Sequence, residues 1–363
     1  MPNRRRQPSP IALQQNLHLP RSHRRSLLWR WTRWLVVGLL LLGLAIYLGF
    51  QFSPYPRALL IRYGFDKGAV EIAHKLEKHV PPGVNAIVDQ PYRPNDNDAK
   101  LDVFYPQALP TADVVLPTIV WVHGGAWISG DKSHVANYLK ILASHGYTTV
   151  GVGYSIAPEH QYPTPLIQLN EAIAYLQQQA TRLHIDPSQM VLAGDSAGAQ
   201  IAAQMAAMVT NPPYAIEVGI QPTLQPNQLK AMLLNCGGYD TSLLNLDGSF
   251  GSFLRTVMWS YSGTKNFLTD PRFQSFSVLD YITSRFPPAF ITAGNADPLA
   301  PHSIALAKTL TEVGVPIDTL FYPADHTPLL EHEYQFNLDL ADGQEALRRI
   351  LAFLQTTFEI ISP

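Results

Sequence analysis

A G-x-S-x-G pattern at residues 194–198, Gly-Asp-Ser-Ala-Gly, constrains this chain more than any other feature. A short apolar run, MVLA, precedes it, and an alanine-rich run with apolar residues at helical spacing follows it. Strand, tight glycine turn and helix in that order lift a serine out of a sheet and expose its hydroxyl. The pattern therefore predicts an α/β architecture and singles out Ser196 as a nucleophile.

A serine nucleophile needs hydrogen-bond donors for the oxyanion that forms when it attacks an acyl carbon. The apolar, strand-like residues 118–122 lead directly into two consecutive glycines, Gly124 and Gly125. Two glycines after a strand can turn their N–H groups toward one point. Together with the N–H of Ala197, at the start of the predicted helix, they form the predicted oxyanion hole.

A serine nucleophile also needs a base and a group that orients the base. Asp297 follows the strand-like residues 289–293, and His326 follows the strand-like residues 317–321. The carboxyl ends of parallel strands meet at one edge of a sheet, so these loops should lie beside Ser196. We therefore predict that His326 is the base and that Asp297 orients it.

Three other residues compete for these roles. His302 follows Asp297 too closely in sequence to be the base of the next element, and His332 is assigned to a helix after the loop. Asp325 adjoins His326, and neighbouring loop residues rarely orient each other's side chains well. The prediction therefore stays with Asp297 and His326.

At this point the sequence resembles the α/β-hydrolase superfamily, in the branch of hormone-sensitive-lipase-like and HGGxW carboxylesterases. The chain order Ser, Asp, His is that of the superfamily. The resemblance covers about residues 85–355, with Ser155 where the family has arginine and Ala126 where it has the third glycine of H-G-G-G. The motifs that carry it are HGGAW at 123–127, YSIAPEH at 154–160, GDSAG at 194–198 and DPL at 297–299.

The resemblance implies a mostly parallel central sheet with helices on both faces and a lid insertion. It also implies a serine carboxylesterase that acts on small to medium acyl esters through an acyl-enzyme on Ser196. An HGGxW-type amidase or formamidase and a carbohydrate-ester deacetylase stay open, because lid side chains build the pocket. An inactive hydrolase fold that serves as a membrane-anchored binding module is the alternative of another class.

The amino-terminal region predicts a membrane anchor. Residues 34–52 form a 19-residue uncharged run, and the 33 residues before it carry eight arginines and no acid. Such a run spans about 28 Å as a helix, and its flanking charge predicts a cytoplasmic amino terminus and a catalytic domain on the other side. The alternatives are a cleaved signal peptide and a twin-arginine export signal.

The whole chain carries a net charge of −2, and eight positive charges lie in its first 33 residues. The rest of the chain therefore carries a net charge of about −10. No basic patch points to nucleic acid, and no dinucleotide or metal motif points to a cofactor, so none is expected. The oligomeric state stays open. The predicted divisions are a basic cytoplasmic tail (1–33), the anchor (34–52), a helical linker or cap (53–84) and the hydrolase domain (85–363) with a lid at 240–285.

Overall fold

The structure is a computed structural model that describes residues 21–111 and 113–358, with side chains from residue 29 onward. Residues 1–20 of the predicted tail lie outside the described residues. The chain divides into two compact units, Met1–Ser53 and Pro54–Pro363.

The first unit contains one long helix, α1 (Arg21–Phe52). Its stretch Trp29–Phe52 has a mean hydropathy of 2.3 in its most apolar window, and none of that window is buried. A helix of this length and composition can cross a bilayer, and a signal sequence has the same properties. The helix begins before the predicted run, because Arg30 and Arg33 continue it without a break.

The second unit is built on one eight-stranded sheet. The order is β1-β2-β4-β3-β5-β6-β7-β8. Strand β2 pairs antiparallel with both of its neighbours, and every pairing from β4 to β8 is parallel. The strands are β1 (Val84–Pro91), β2 (Lys100–Pro106), β3 (Leu116–Val122), β4 (Thr148–Val152), β5 (Ile185–Asp195), β6 (Leu229–Asn235), β7 (Ala289–Ala293) and β8 (Ile317–Phe321).

Helices cover both faces of the sheet, as predicted. Successive strand side chains point to opposite faces, so Trp121 belongs to an apolar cluster that includes residues of α3 and α9, whereas Val120 belongs to one that includes residues of α4, α5 and α8. The helices of this unit are α2 (Tyr55–Glu77), α3 (Ala136–Ala143), α4 (Thr164–Gln178), α5 (Ala197–Thr210), α6 (Pro212–Val218), α7 (Gly251–Ser262), α8 (Ala300–Glu312) and α9 (Ala341–Phe358).

Two segments stand apart from the alternating strands and helices. Helix α2 lies within the predicted linker, and its two fully buried residues are Ala58 and Leu76. Residues 240–285 connect β6 to β7 through α7 and short 3₁₀ turns, and much of their aromatic content is buried, with Tyr261 and Phe276 nearly inaccessible. The predicted lid is therefore an ordered insertion, and its function as a lid stays a prediction.

Candidate active site

Ser196 occupies a strained turn between β5 and α5 at the centre of the sheet. Its backbone lies at φ 50°, ψ −119°, a conformation that residues other than glycine rarely adopt. The turn is tight because α5 starts against β3: a Cβ on Gly198 would come within 2.0 Å of the Val122 carbonyl oxygen. Only glycine fits there, and the close approach holds Ser196 above the strand ends.

His332 and Asp297 complete a chain of hydrogen bonds with Ser196. His332 Nε2 lies 2.9 Å from Ser196 Oγ, and His332 Nδ1 lies 2.9 Å from Asp297 Oδ1. The Asp297 side chain is fully buried, and the same carboxylate oxygen accepts the Leu299 N–H at 2.8 Å. The geometry is that of a nucleophile, a base and the group that orients the base.

His326 is not the partner of Ser196, and that prediction is wrong. The His326 ring forms a hydrogen bond from Nε2 to Asp342 Oδ1, at 3.0 Å, and stacks at a tilt on Tyr322. Two of the three competing residues lie elsewhere as well: Asp325 is exposed, and His302 is buried in α8, where Nδ1 accepts the Asp240 N–H.

The path of the loop after β8 explains why His332, and not His326, bonds to Ser196. Three strand spacings of about 4.8 Å separate β8 from β5, so a residue after β8 must return about 14 Å to reach Ser196. His326 is only five residues beyond β8 and lies beside the start of α9, whereas His332 lies further along the same loop. His332 is also in this loop and not on a helix, so the assignment that excluded it was wrong. Five fully extended residues can span about 17 Å, so distance alone does not exclude His326, and no local signal in the sequence distinguishes His332 from it.

Gly124 is not a free oxyanion donor, which corrects a second prediction. Its N–H donates to Asp195 Oδ2 at 2.7 Å, and the other oxygen of Asp195 accepts Trp121 Nε1–H at 2.6 Å. A Cβ on Gly124 would lie 2.3 Å from Asp195 Oδ2 and 2.7 Å from Glu333 Oε1, so glycine leaves room for these two acids.

Asp195 and Glu333 form a carboxyl pair next to His332. Burial, followed by the charge of Glu333, raises the pKa of Asp195 well above its usual range. The hydrogen bond between the two carboxyl groups also raises the pKa of Asp195. The pair joins the loop that carries His332 to the end of β5, where Ser196 begins.

Three other N–H groups near Ser196 are available as oxyanion donors. In the described part of the chain, the N–H groups of Gly125, Ala126 and Ala197 donate to no protein acceptor. Ala197 is the first residue of α5, where helix geometry leaves N–H groups unpaired. Gly125 and Ala126 have positive φ values, 111° and 54°, which turn this loop sharply beside the serine.

The charges around His332 favour its protonated form. Burial opposes a charged ring, but the hydrogen bond and charge of Asp297, followed by the charges of Glu333 and Asp195, outweigh it and raise the pKa of His332 to about 9. His123 has the opposite balance, because burial lowers its pKa to about 4. His123 is therefore neutral, and its Nδ1–H donates to the Gly124 carbonyl at 2.8 Å, which helps to fix the shape of the loop.

Two cavities meet at Ser196. One, of about 200 Å³, has an almost wholly apolar lining, which includes Phe253 and Leu254 of the 240–285 insertion. The other, of about 270 Å³, runs between the oxyanion loop and the inner side of α2. Phe65 of α2 lines both cavities, and His332 also lines both. The site thus offers one apolar compartment and a second opening for the other half of a substrate.

One group of metal-ligating atoms lies among the described residues. Cys236, Asp297 and His332 each bring a donor atom within 4.8 Å of the others. Both His332 nitrogens already bond to Ser196 and Asp297, and burial, followed by the charge of Asp297, raises the pKa of the Cys236 thiol well above its usual range. A protonated thiol is a poor ligand, so this arrangement fits a hydrogen-bonded site better than a metal centre.

Comparison with known proteins agrees with this geometry. A family model described as the alpha/beta hydrolase fold matches residues 119–326. The chain belongs to the α/β-hydrolase family. The predicted branch, that of the hormone-sensitive-lipase-like carboxylesterases, is confirmed. The family match ends before His332, so it does not cover the residue that bonds to Ser196.

Curated relatives include carboxylesterase NlhH of Mycobacterium tuberculosis, 29% identical over 266 residues, which are 71% of this chain and 78% of that protein. Esterase LipQ of the same species is 28% identical over 232 residues, which are 62% of this chain and only 53% of LipQ. Among solved structures, esterase B of Lactobacillus rhamnosis has a TM-score of 0.71 at 21% identity, over 84% of this chain and 96% of that one. The structural likeness shows the fold.

Proposed function

We propose that this protein is a serine carboxylesterase that hydrolyses small to medium acyl esters. The observation that carries the proposal is the hydrogen-bonded series Ser196, His332, Asp297, which opens onto an apolar cavity of about 200 Å³. The similarity to NlhH and LipQ, which are named as a carboxylesterase and an esterase, supports the same reaction class.

In the proposed mechanism, neutral His332 takes the proton of Ser196 Oγ at Nε2 as the oxygen attacks the acyl carbon. Asp297 accepts a hydrogen bond from Nδ1–H and stabilises the imidazolium that forms. His332 then donates its proton to the departing alcohol oxygen as the ester C–O bond breaks, which leaves an acyl-enzyme on Ser196. A water molecule then gives a proton to His332 and attacks that acyl group. The bond between the acyl carbon and Ser196 Oγ breaks, His332 returns the proton to Oγ, and the acid is released.

The oxyanion of each tetrahedral intermediate would be bound by the N–H groups of Gly125, Ala126 and Ala197. Ala126 replaces Gly124 in the set of donors expected from sequence, because the Gly124 N–H is held by Asp195. Loss of one such donor costs about 10²–10³ in turnover. The mostly apolar lining of the smaller cavity favours a hydrocarbon acyl chain there over a sugar or a formyl group, which favours the carboxylesterase over the deacetylase and the formamidase.

The amino-terminal helix supports the proposal of a single-pass membrane protein. An uncleaved α1 would span the bilayer, with the arginine-rich end in the cytoplasm and the hydrolase unit on the other side. Fractionation of the full chain tests this: it should pellet with membranes and resist high-salt extraction, and a reporter fused to the carboxyl terminus should behave as non-cytoplasmic. A soluble mature form that begins near Ser53 would contradict it.

Labelling with a fluorophosphonate probe, followed by a panel of p-nitrophenyl esters, tests the activity. The wild type should be labelled at Ser196 and should hydrolyse butyrate and hexanoate esters, and Ser196→Ala should do neither. A folded wild type that is not labelled would favour the inactive binding module. Labelling with turnover of N-formyl amides or acetylated sugars, but not of alkanoate esters, would favour the other two enzyme classes.

A further inference from the structure

Helix α2 presents two faces of different character. The face that contains Ala58 and Leu76 is buried against the hydrolase unit. An α-helix turns by about 100° per residue. The side chains of four residues therefore form a contiguous stripe on a second face, namely those of Leu59, Tyr63, Val70 and Leu60. They are 48%, 75%, 57% and 66% exposed, respectively. We call these four residues the outer stripe.

The inner side of α2 is fixed to the loop that follows the oxyanion glycines. Arg62 donates to the carbonyl oxygens of Ile128 at 2.7 Å and Ala157 at 2.8 Å, and forms an ion pair with Glu159 at 2.6 Å. Further along α2, Phe65 and Ile72, about one and three turns beyond Arg62, line the larger cavity at Ser196. The helix that carries the outer stripe is therefore also a wall of the active-site entrance.

The chain itself indicates what covers the outer stripe. Only Ser53 and Pro54 separate the last residue of α1 from the first residue of α2, so α2 starts within about 11 Å of chain from the end of α1. A bilayer crossed by the 24-residue apolar stretch of α1 would thus lie within reach of α2. Lys67, on the same side of α2 as the stripe, can extend its ammonium to lipid phosphates.

We propose that the outer stripe of α2 lies in the interface of a lipid bilayer, and that the substrate is an ester that resides in the membrane and enters the active site alongside α2. The substrate class rests on the proposed ester hydrolysis. The membrane contact rests on α1 and α2 alone. An ester of a medium-chain acid would place its acyl chain in the apolar cavity and its alcohol part in the larger cavity, alongside α2.

The full chain reconstituted in phosphatidylcholine vesicles tests the substrate class. The triple variant Leu59→Gln, Tyr63→Gln, Val70→Gln removes most of the stripe, and none of these side chains lines a cavity at Ser196. A matched control replaces three apolar residues on other elements by glutamine. Their exposed fractions, 79%, 49% and 54%, are similar to those of the three replaced stripe residues. These control residues are Ile216, Leu268 and Ile304.

We expect the stripe variant to hydrolyse a vesicle-embedded hexanoate ester of a long-chain alcohol about tenfold more slowly, since interfacial binding scales with buried apolar area. Its kcat/KM for soluble p-nitrophenyl butyrate should stay within about twofold of the wild type, because the site is unchanged. The control variant should retain both activities. A stripe variant that keeps both activities, or loses both equally, would overturn the proposal.

A fluorescent label gives a readout that does not depend on hydrolysis. Tyr63→Cys and Ile216→Cys each add one exposed thiol, while the native Cys236 is fully buried. With an environment-sensitive dye, a lipid-borne nitroxide should quench the label at 63 and spare the label at 216. No quenching at 63 overturns the membrane contact, and protection at 63 that rises with protein density indicates a second copy of the chain instead. Quenching at 63 in a protein that hydrolyses no ester keeps the membrane contact and rejects the substrate class.

Discussion

Replacement of His332 by alanine should abolish turnover, whereas the same replacement of His326 should leave it nearly intact. His332 Nε2 is 2.9 Å from Ser196 Oγ, so the variant loses the only described side chain that can take the proton from that oxygen. Loss of a triad base costs about 10⁴–10⁶ in kcat, which is about 5–8 kcal/mol of activation free energy.

His326→Ala is the matched control, because both histidines lie in one loop and each bonds to an aspartate. His326 is bonded to Asp342, and the two side chains are 25% and 15% exposed. The loss of that hydrogen bond should lower the free energy of unfolding by about 1 kcal/mol, and the thermal midpoint by about 2–4 °C. Its kcat should stay within about threefold of the wild type.

Steady-state hydrolysis of p-nitrophenyl butyrate measures kcat, and thermal unfolding by circular dichroism shows whether each variant is folded. The double variant Ser196→Ala, His332→Ala should be scarcely slower than either single variant, since the two residues act as one unit. A folded His332→Ala protein with near wild-type kcat would refute the assignment of the base. A folded His326→Ala protein without activity would restore the prediction made from sequence.

Three further predictions follow from the same site. The kcat/KM of the wild type should rise about tenfold per pH unit below the pKa of His332 and level off near pH 9. Only the neutral ring can accept the serine proton, and the neighbouring acids raise that pKa to about 9. A pH–rate profile that levels off below pH 6 would contradict this. Gly124→Ala should lower the free energy of unfolding by about 1–3 kcal/mol and reduce kcat, because its Cβ would displace the carboxyls of Asp195 and Glu333. Chemical denaturation measures the free energy of unfolding, and initial rates measure kcat. Unchanged values would contradict the close packing. Phe253→Ala should enlarge the apolar cavity that Phe253 lines. The ratio of kcat/KM for octanoate esters to kcat/KM for butyrate esters should then rise by roughly tenfold. An unchanged ratio would place the acyl chain elsewhere.

The local features of this protein could be predicted from its sequence. Three apolar runs and the alternating residues 317–321 predict the strands that carry the site, and the observed strands contain all four segments. The turn at Ser196 depends on residues within two positions of it, because Gly198 must lack a Cβ for α5 to start beside β3. Patterns that act over a few residues are visible in a sequence without knowledge of the fold.

The sheet order decided which distant groups meet. His332 and Asp297 are 35 residues apart, and His332 and Ser196 are 136 apart. The correct histidine depends on the path that the loop takes back across β7 and β6, and no local pattern encodes that path.

The same reason applies to Gly124. Its sequence context identifies a turn with two available N–H groups, but the fold brings Asp195, 71 residues away, to within 2.7 Å of the first one. The pKa of that aspartate is raised because the fold buries it and brings Glu333 of a third segment beside it. The sequence determined where the strands end and which serine occupies the turn after β5. The tertiary structure determined which histidine bonds to Ser196, which N–H groups stay free and the wall that α2 adds to the active-site entrance. Each of these depends on contacts between segments far apart in the chain.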